Sequence, residues 1–363
     1  SYLGSIYMDR EIQMSKRKVP KNQSESIPKW KRFMDIPNQP MPEMGLTPKI
    51  AVWKKNKSTL WYYPSAQKKY EVPVFLIYSL INTPLILDLS PGNSLIESFV
   101  NEGFDVYLLD FGSPGFEDGE ISIEDYIADY IQKGVQRALR HSGASEITVM
   151  GFCLGGTIAA LYAAISDEPI KNLILSVTPV DFSASEFFDQ WQVALKEGTA
   201  DFNDTIDIYQ TLPASAVKYG IRLMTSPIYI SPYLSLLNQA DDDEYVQNWR
   251  RFNAWANGHV PLSGAAAKQI TQDLLINNSL VNGSFEVRGK KAKLSKIDAS
   301  VLVIANKNDR LVPQEMIYPV MKHLKCKDKT YSLLKSGHAA KQYSGVLPYY
   351  LKEWLLGRSS PIQ

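Results

Sequence analysis

Residues 151–156 read Gly-Phe-Cys-Leu-Gly-Gly. This is the spacing of a sharp strand-to-helix turn with a nucleophile at its apex, and Cys153 stands where such turns usually carry serine. The turn is strained and crowded, so small residues are needed two positions before and two after. A helix opening just beyond would aim its positive end at the sulfur and lower the thiol pKa. The Leu154 N–H would face the oxygen of a tetrahedral intermediate. A lone GxCxG also fits a buried, inert cysteine. Catalysis is favoured because two partners follow in order: Asp309 at the end of Val301–Asp309 (VLVIANKND), and His338 in Ser336-Gly337-His338.

These residue types complete a nucleophile–base–orienter set. His338 would take the Cys153 proton and later act on the incoming hydroxyl or water. Asp309, at a strand's carboxyl end, would orient the imidazole; a plain turn aspartate and a plain loop histidine are the alternatives. The chain has four histidines. His141 ends a predicted surface helix, His323 a charged helix, and His259 falls in a helical insertion. A second oxyanion donor is expected from Leu80-Ile81-Asn82, the loop after Val74–Ser79, with the Ile81 N–H favoured. Cys326 reads as a spectator in a lysine-rich connection.

The elements that must position these residues are written in the hydropathy pattern. Ile50–Lys54 and Thr59–Tyr63 predict a short antiparallel pair. Val74–Ser79, Val106–Phe111, Ile147–Gly151, Leu173–Val177, Val301–Ala305 and Lys329–Leu334 predict strands. Between them Ser94–Glu102, Ile123–Arg140, Gly155–Ile165, Gln314–His323 and Gly345–Leu356 predict helices. Strands apolar throughout and alternating with helices imply a mainly parallel, doubly wound sheet covered on both faces. The rhythm stops near Phe182 and resumes near residue 296. Residues 183–295 therefore predict a helical cap over the sheet's carboxyl edge, where ligands bind. The core is then 47–182 with 296–363. Residues 1–46, basic and Pro-punctuated, predict an arm that either wraps the domain or docks a partner. In the cap, Asp241–Glu244 predicts a helix start. Its aromatics (Trp191, Tyr209, Tyr219, Tyr229, Tyr233, Tyr245, Trp249, Trp255) predict packing or dimer contact. The basic run Arg288, Lys290, Lys291 and Lys293 predicts a solvated loop, with the phosphates of a ligand as the alternative.

Composition limits the classes. With 45% hydrophobic and 21% charged residues the chain is globular, not disordered. Its 39 Lys+Arg against 38 Asp+Glu leave no basic excess for gripping nucleic acid. Two cysteines make neither a disulfide framework nor a zinc cluster, so a reducing compartment and no metal are expected. No segment reaches the ~20 apolar residues of a membrane span. The first residues lack the apolar core of a secretory signal, which predicts a cytoplasmic protein.

The order Cys…Asp…His is that of α/β-hydrolases. More specifically, the chain resembles the catalytic subunit of short, two-subunit (class III or IV) polyhydroxyalkanoate synthases, leaning to class IV. The matching stretches are Val74–Asn93, Gly103–Gly112, Gly151–Thr157, Asn172–Phe182, Asn308–Pro313 and Ser336–His338, together with the FGSPG stretch from Phe111; they fall within residues 46–357. The resemblance implies an α/β-hydrolase fold and polymerisation of (R)-3-hydroxyacyl-CoA, chiefly 3-hydroxybutyryl-CoA, with release of CoA. Cys153 would hold the growing chain as a thioester, with His338 as base assisted by Asp309. It also implies work at polyester granules, a small second subunit and no cofactor, CoA thioester being the substrate; a homodimer is expected. Many members have His after the Asp, where this chain has Arg310, and a small residue and Gly after the catalytic His, where it runs Ala339-Ala340-Lys341. The alternative on the same residues is a cysteine hydrolase, a thioesterase or dienelactone-hydrolase-like enzyme. A non-catalytic granule-binding protein is a third reading, against which the retained triad argues.

Overall fold

The computed structural model describes residues 27–184, 193, 197, 203–216, 238–309, 311–335 and 345–363. Eight strands form one sheet: β1 Ile50–Lys55, β2 Ser58–Tyr63, β3 Val74–Ile77, β4 Val106–Asp110, β5 Ile147–Phe152, β6 Ile170–Ser176, β7 Ser300–Asn306 and β8 Lys329–Leu334. Their spatial order is β1-β2-β4-β3-β5-β6-β7-β8. From β4 to β8 every neighbouring pair is parallel, whereas β1–β2 and β2–β4 are antiparallel. The central strands β3 and β5 are buried at every position, which is why they read as unbroken apolar runs. Two hydrophobic clusters flank the sheet. One is built on Phe75, Val149, Ile158 and Val303, the other on Leu76, Phe99, Met150 and Ile304. Alternate residues of one strand thus serve opposite faces.

Several predicted helices form with small changes of extent. Helix α1 is Lys29–Asp35, in the arm. Helix α2 (Leu95–Glu102) starts from Ser94, whose hydroxyl accepts the Glu97 N–H at 2.9 Å, and ends on Gly103 in the left-handed region. The stretch predicted as one helix from Ile123 is broken by a π-helical turn, Tyr126–Ile131, before α3 (Gln132–Ser142). Helix α4 (Leu154–Ile165) follows β5 directly. In the insertion, α5 (Asn203–Tyr209), α6 (Asp243–Asn257) and α7 (Gly264–Gln269) are helical; Asp242 caps α6 by accepting the Tyr245 N–H at 3.1 Å. Of its aromatics, Tyr245, Trp249 and Trp255 are buried and Tyr209 is exposed. Trp191, Tyr219, Tyr229 and Tyr233 lie outside the described residues. The predicted helix Gln314–His323 is instead two short ones, α8 (Gln314–Ile317) and α9 (Val320–His323). Pro319 between them lacks the N–H that a continuous helix requires. The last helix, α10, is Tyr349–Leu356 rather than beginning at Gly345, because Pro348 fixes its start.

The arm is fastened to the insertion. Ile36 is buried in the second cluster, and Arg250 of α6 donates to the carbonyls of Pro40 (2.7 Å) and Gln39 (2.9 Å). Arg288 pairs with Asp125 and Asp129, at 2.6 and 2.8 Å. Among the described residues, no helix is long and apolar enough to cross a membrane.

Candidate active site

The carboxyl edge of the sheet carries Cys153 and, close enough to act on its charge, Asp309. Cys153 follows the last residue of β5, and its N–H donates to the Ser176 carbonyl of β6 at 2.9 Å. Its backbone sits at φ 52°, ψ −123°, a region L-residues avoid, so the turn is strained. The glycines around it explain how such a turn can pack. A Cβ on Gly151 would lie 2.6 Å from the Gly156 Cα and 2.7 Å from the Gly155 carbonyl oxygen. One on Gly155 would lie 2.6 Å from the backbone of Ile77 and Tyr78, at the end of β3. One on Gly156 would lie 1.8 Å from the Thr178 hydroxyl. These contacts press α4 against both β3 and β6 and hold the sulfur at the rim.

Val177, directly after β6, is a second strained position: a buried β-branched residue at φ 45°. Its N–H donates to Ile304 of β7 at 2.8 Å. Nothing in the sequence signalled it, because valine in an apolar run reads simply as strand. The bend lies between the nucleophile strand and the aspartate strand.

Asp309 lies three residues past β7, two strands from β5, a separation of about 10 Å between strand axes. The residue is buried, and one carboxylate oxygen accepts the N–H groups of Leu311 and Val312, both at 3.0 Å. Burial pushes its pKa up, and those two bonds oppose the shift. His338 and Arg310 lie outside the described residues. The chain enters the His338 segment from β8, which pairs with β7 in register up to Asn306 opposite Leu334.

The thiol differs from the sequence expectation. Burial, and then the nearby Asp309 charge, push the Cys153 pKa up to about 12; the Leu154 N–H bonded to the sulfur pulls it down but is outweighed. The net shift is upward because the cost of burying the charged sulfur exceeds the gain from that bond. Cys153 is thereby favoured as the neutral thiol.

The loop after β3 adjoins the elbow. Leu154, Ile81 and Cys153 share one hydrophobic cluster. The Ile81 N–H donates to the Ser79 hydroxyl at 3.2 Å, while its carbonyl accepts the Val260 N–H at 3.2 Å. Asn82 is buried; its side-chain oxygen accepts the Thr83 N–H at 2.7 Å, and its side-chain NH2 has no partner among the described residues. Cys326 is a half-buried free thiol. Among the described residues, no cluster of His, Cys, Asp and Glu could hold a metal ion.

A nucleophile on a strained strand-to-helix turn, flanked by a carboxylate past a later strand of a mostly parallel sheet, is the α/β-hydrolase arrangement. The alpha/beta hydrolase fold family model matches residues 72–341, and the chain belongs to that family. A solved monoacylglycerol lipase from Paleococcus ferrophilus shares the fold, with a TM-score of 0.50 and 18% identity over 83% of this chain and 99% of that one. Within the family the chain is similar to proteins named poly(3-hydroxyalkanoate) polymerase subunit PhaC. That of Haloferax mediterranei is 29% identical over 87% of this chain, and the chain spans 65% of that protein's length. Those of Allochromatium vinosum and Synechocystis sp. are each 27% identical, over 84% and 87% of this chain and 85% and 86% of theirs.

Proposed function

We propose that this chain is the catalytic subunit of a short polyhydroxyalkanoate synthase. It polymerises (R)-3-hydroxyacyl-CoA, chiefly 3-hydroxybutyryl-CoA, into polyester through a thioester on Cys153. The observation that carries the reading is a cysteine, not a serine, at the apex of the elbow, in a chain similar over most of its length to polymerase subunits. Acyl transfer from CoA to Cys153 exchanges one thioester for another and is close to isoenergetic. The step is then limited by positioning and oxyanion stabilisation rather than by driving force. Attack of a 3-hydroxyl on the enzyme thioester gives an oxygen ester and runs downhill.

In this reading His338 takes the proton of the neutral thiol as sulfur attacks the carbonyl, the C–S bond to CoA breaks, and CoA leaves as the thiol. Asp309 steadies the resulting imidazolium, with Leu154 and the 80–82 loop facing the oxyanion. Residues 183–295 act as a cap that excludes water and holds the polyester near the sulfur, over a core of 47–182 and 296–363. A small second subunit, the granule surface and a homodimer belong to the same reading.

The test is (R)-3-hydroxybutyryl-CoA supplied to the purified chain with its second subunit. Insoluble polymer together with free CoA supports the synthase. Release of CoA with free 3-hydroxybutyrate alone contradicts it in favour of a cysteine hydrolase. Cys153→Ser is expected to fold yet lose on the order of 100-fold or more in rate, since serine is scarcely ionised and forms no exchangeable thioester.

A further inference from the structure

The stretch of the insertion from the last turn of α6 to Val260 is bonded to the loop read as carrying the second oxyanion donor. Three bonds make the connection. Trp255, at 1% exposure, donates its indole N–H to the Thr83 carbonyl at 2.8 Å. The Val260 N–H donates to the Ile81 carbonyl at 3.2 Å. The His259 Nδ1 lies 3.3 Å from that same carbonyl, and since a carbonyl only accepts, Nδ1 must carry its proton for the bond to form. His259 and Asn82 also form an isolated antiparallel bridge. The two segments lie far apart in sequence, so these bonds are tertiary contacts.

The same segment reaches the nucleophile through aromatic contacts. Trp255 meets Tyr78 edge-on with ring centroids 6.4 Å apart, and Tyr78 meets Phe152, the residue before Cys153, at 5.8 Å. Tyr78 is also the residue whose backbone closes on Gly155. One stretch of the insertion therefore touches both sides of the site.

A planar trans peptide points its N–H opposite to its C=O. Pinning the Ile81 carbonyl to Val260 and His259 thus sets the direction of the Asn82 N–H, and pinning the Thr83 carbonyl fixes the far end of the loop. Oxyanion donors must be held before the charge develops, because reorienting them during the reaction forfeits most of their benefit. We propose that Trp255 and His259 are positioning residues that hold the loop of the second oxyanion donor in place for acyl transfer. The proposal rests on the reading of Cys153 as nucleophile, and it takes as second oxyanion donor the Asn82 N–H rather than the favoured Ile81 N–H, which donates to the Ser79 hydroxyl.

Two reactions of the same sulfur separate this role from general packing. Acylation by p-nitrophenyl butyrate passes through an oxyanion; alkylation by iodoacetamide displaces iodide at a saturated carbon and does not. Trp255→Phe keeps the ring and removes the N–H. His259→Ala removes the donor, and His259→Asn returns an N–H near the position of Nδ1. The stoichiometric burst of p-nitrophenol is expected to slow on the order of tenfold in Trp255→Phe and His259→Ala, with alkylation within about twofold of wild type. His259→Asn should recover most of the burst. An unchanged burst in both deletions overturns the proposal, as does equal slowing of both reactions. Whether wild type goes on to make polymer from 3-hydroxybutyryl-CoA is read separately and reports on the proposed function alone.

Discussion

Burial and the nearby Asp309 charge push the Cys153 thiol up to about 12, and at the scale of the residue this makes it a poor thiolate source at neutral pH. Both causes favour the neutral thiol, and in the proposed mechanism the base acts as the bond forms. Alkylation of native Cys153 by iodoacetamide should therefore keep rising with pH beyond 9, whereas an ordinary thiol levels off above its pKa of about 8.5. A plateau near pH 8.5 would contradict the burial. Asp309→Asn removes a charge that raises the thiol pKa, so direct alkylation at pH 9 should become faster. Acyl transfer in the same variant should slow, on the order of 10²-fold or more, because in the proposed triad Asp309 orients the His338 imidazole. Opposite signs in the two assays are the signature; both slowing together would count against the pairing. Linkage gives a stability corollary. The native state holds the thiol proton more tightly than the unfolded chain, so this contribution is full below about pH 8.5 and is lost as pH rises toward 12. Cys153→Ala should lose stability less steeply over that interval in urea unfolding.

At the scale of the element, the elbow was legible because its constraints fall on residue types. Gly151 and Gly155 are required by close backbone approaches and Gly156 by the Thr178 side chain, and those glycines stand in the sequence. The central strands were legible because both their faces are buried. What the sequence hid is structure that depends on distant partners. The π-turn at Tyr126–Ile131 has no compositional mark, nor has the positive φ at Val177. The bonds of Trp255 and His259 to the 81–83 carbonyls involve backbone acceptors that every residue carries. The break at Pro319 was different: the proline was visible, and its missing N–H should have ended the predicted helix there. Gly156→Ala tests the elbow directly. Its methyl would fall on the Thr178 hydroxyl, which is fully buried and within 3.4 Å of the Ser176 carbonyl. A cost of about 1–3 kcal/mol in urea unfolding is expected from such overpacking. Thr178→Ala in the same chain should return part of it. An unperturbed single variant would show that the turn has slack.

Across the whole molecule, the arm, the insertion and the sheet edge are one mechanical unit. The arm meets α6 through the buried Arg250, α6 continues into Trp255 and His259, and these hold the loop beside Cys153. Arg250→Ala removes a charged donor from two carbonyls and should destabilise the protein by about 2 kcal/mol. It should also expose the basic stretch Lys29–Arg32 to faster tryptic cleavage; a wild-type digestion pattern would argue that the arm is held otherwise. The account as a whole depends on a covalent acyl group at one position. The most direct measurement is intact-protein and peptide mass spectrometry of the chain mixed rapidly with (R)-3-hydroxybutyryl-CoA. The account predicts one or more 3-hydroxybutyryl units on the Cys153 peptide, appearing with free CoA and absent from Cys153→Ala. CoA release at the wild-type rate from Cys153→Ala, or acylation at another residue, would contradict it.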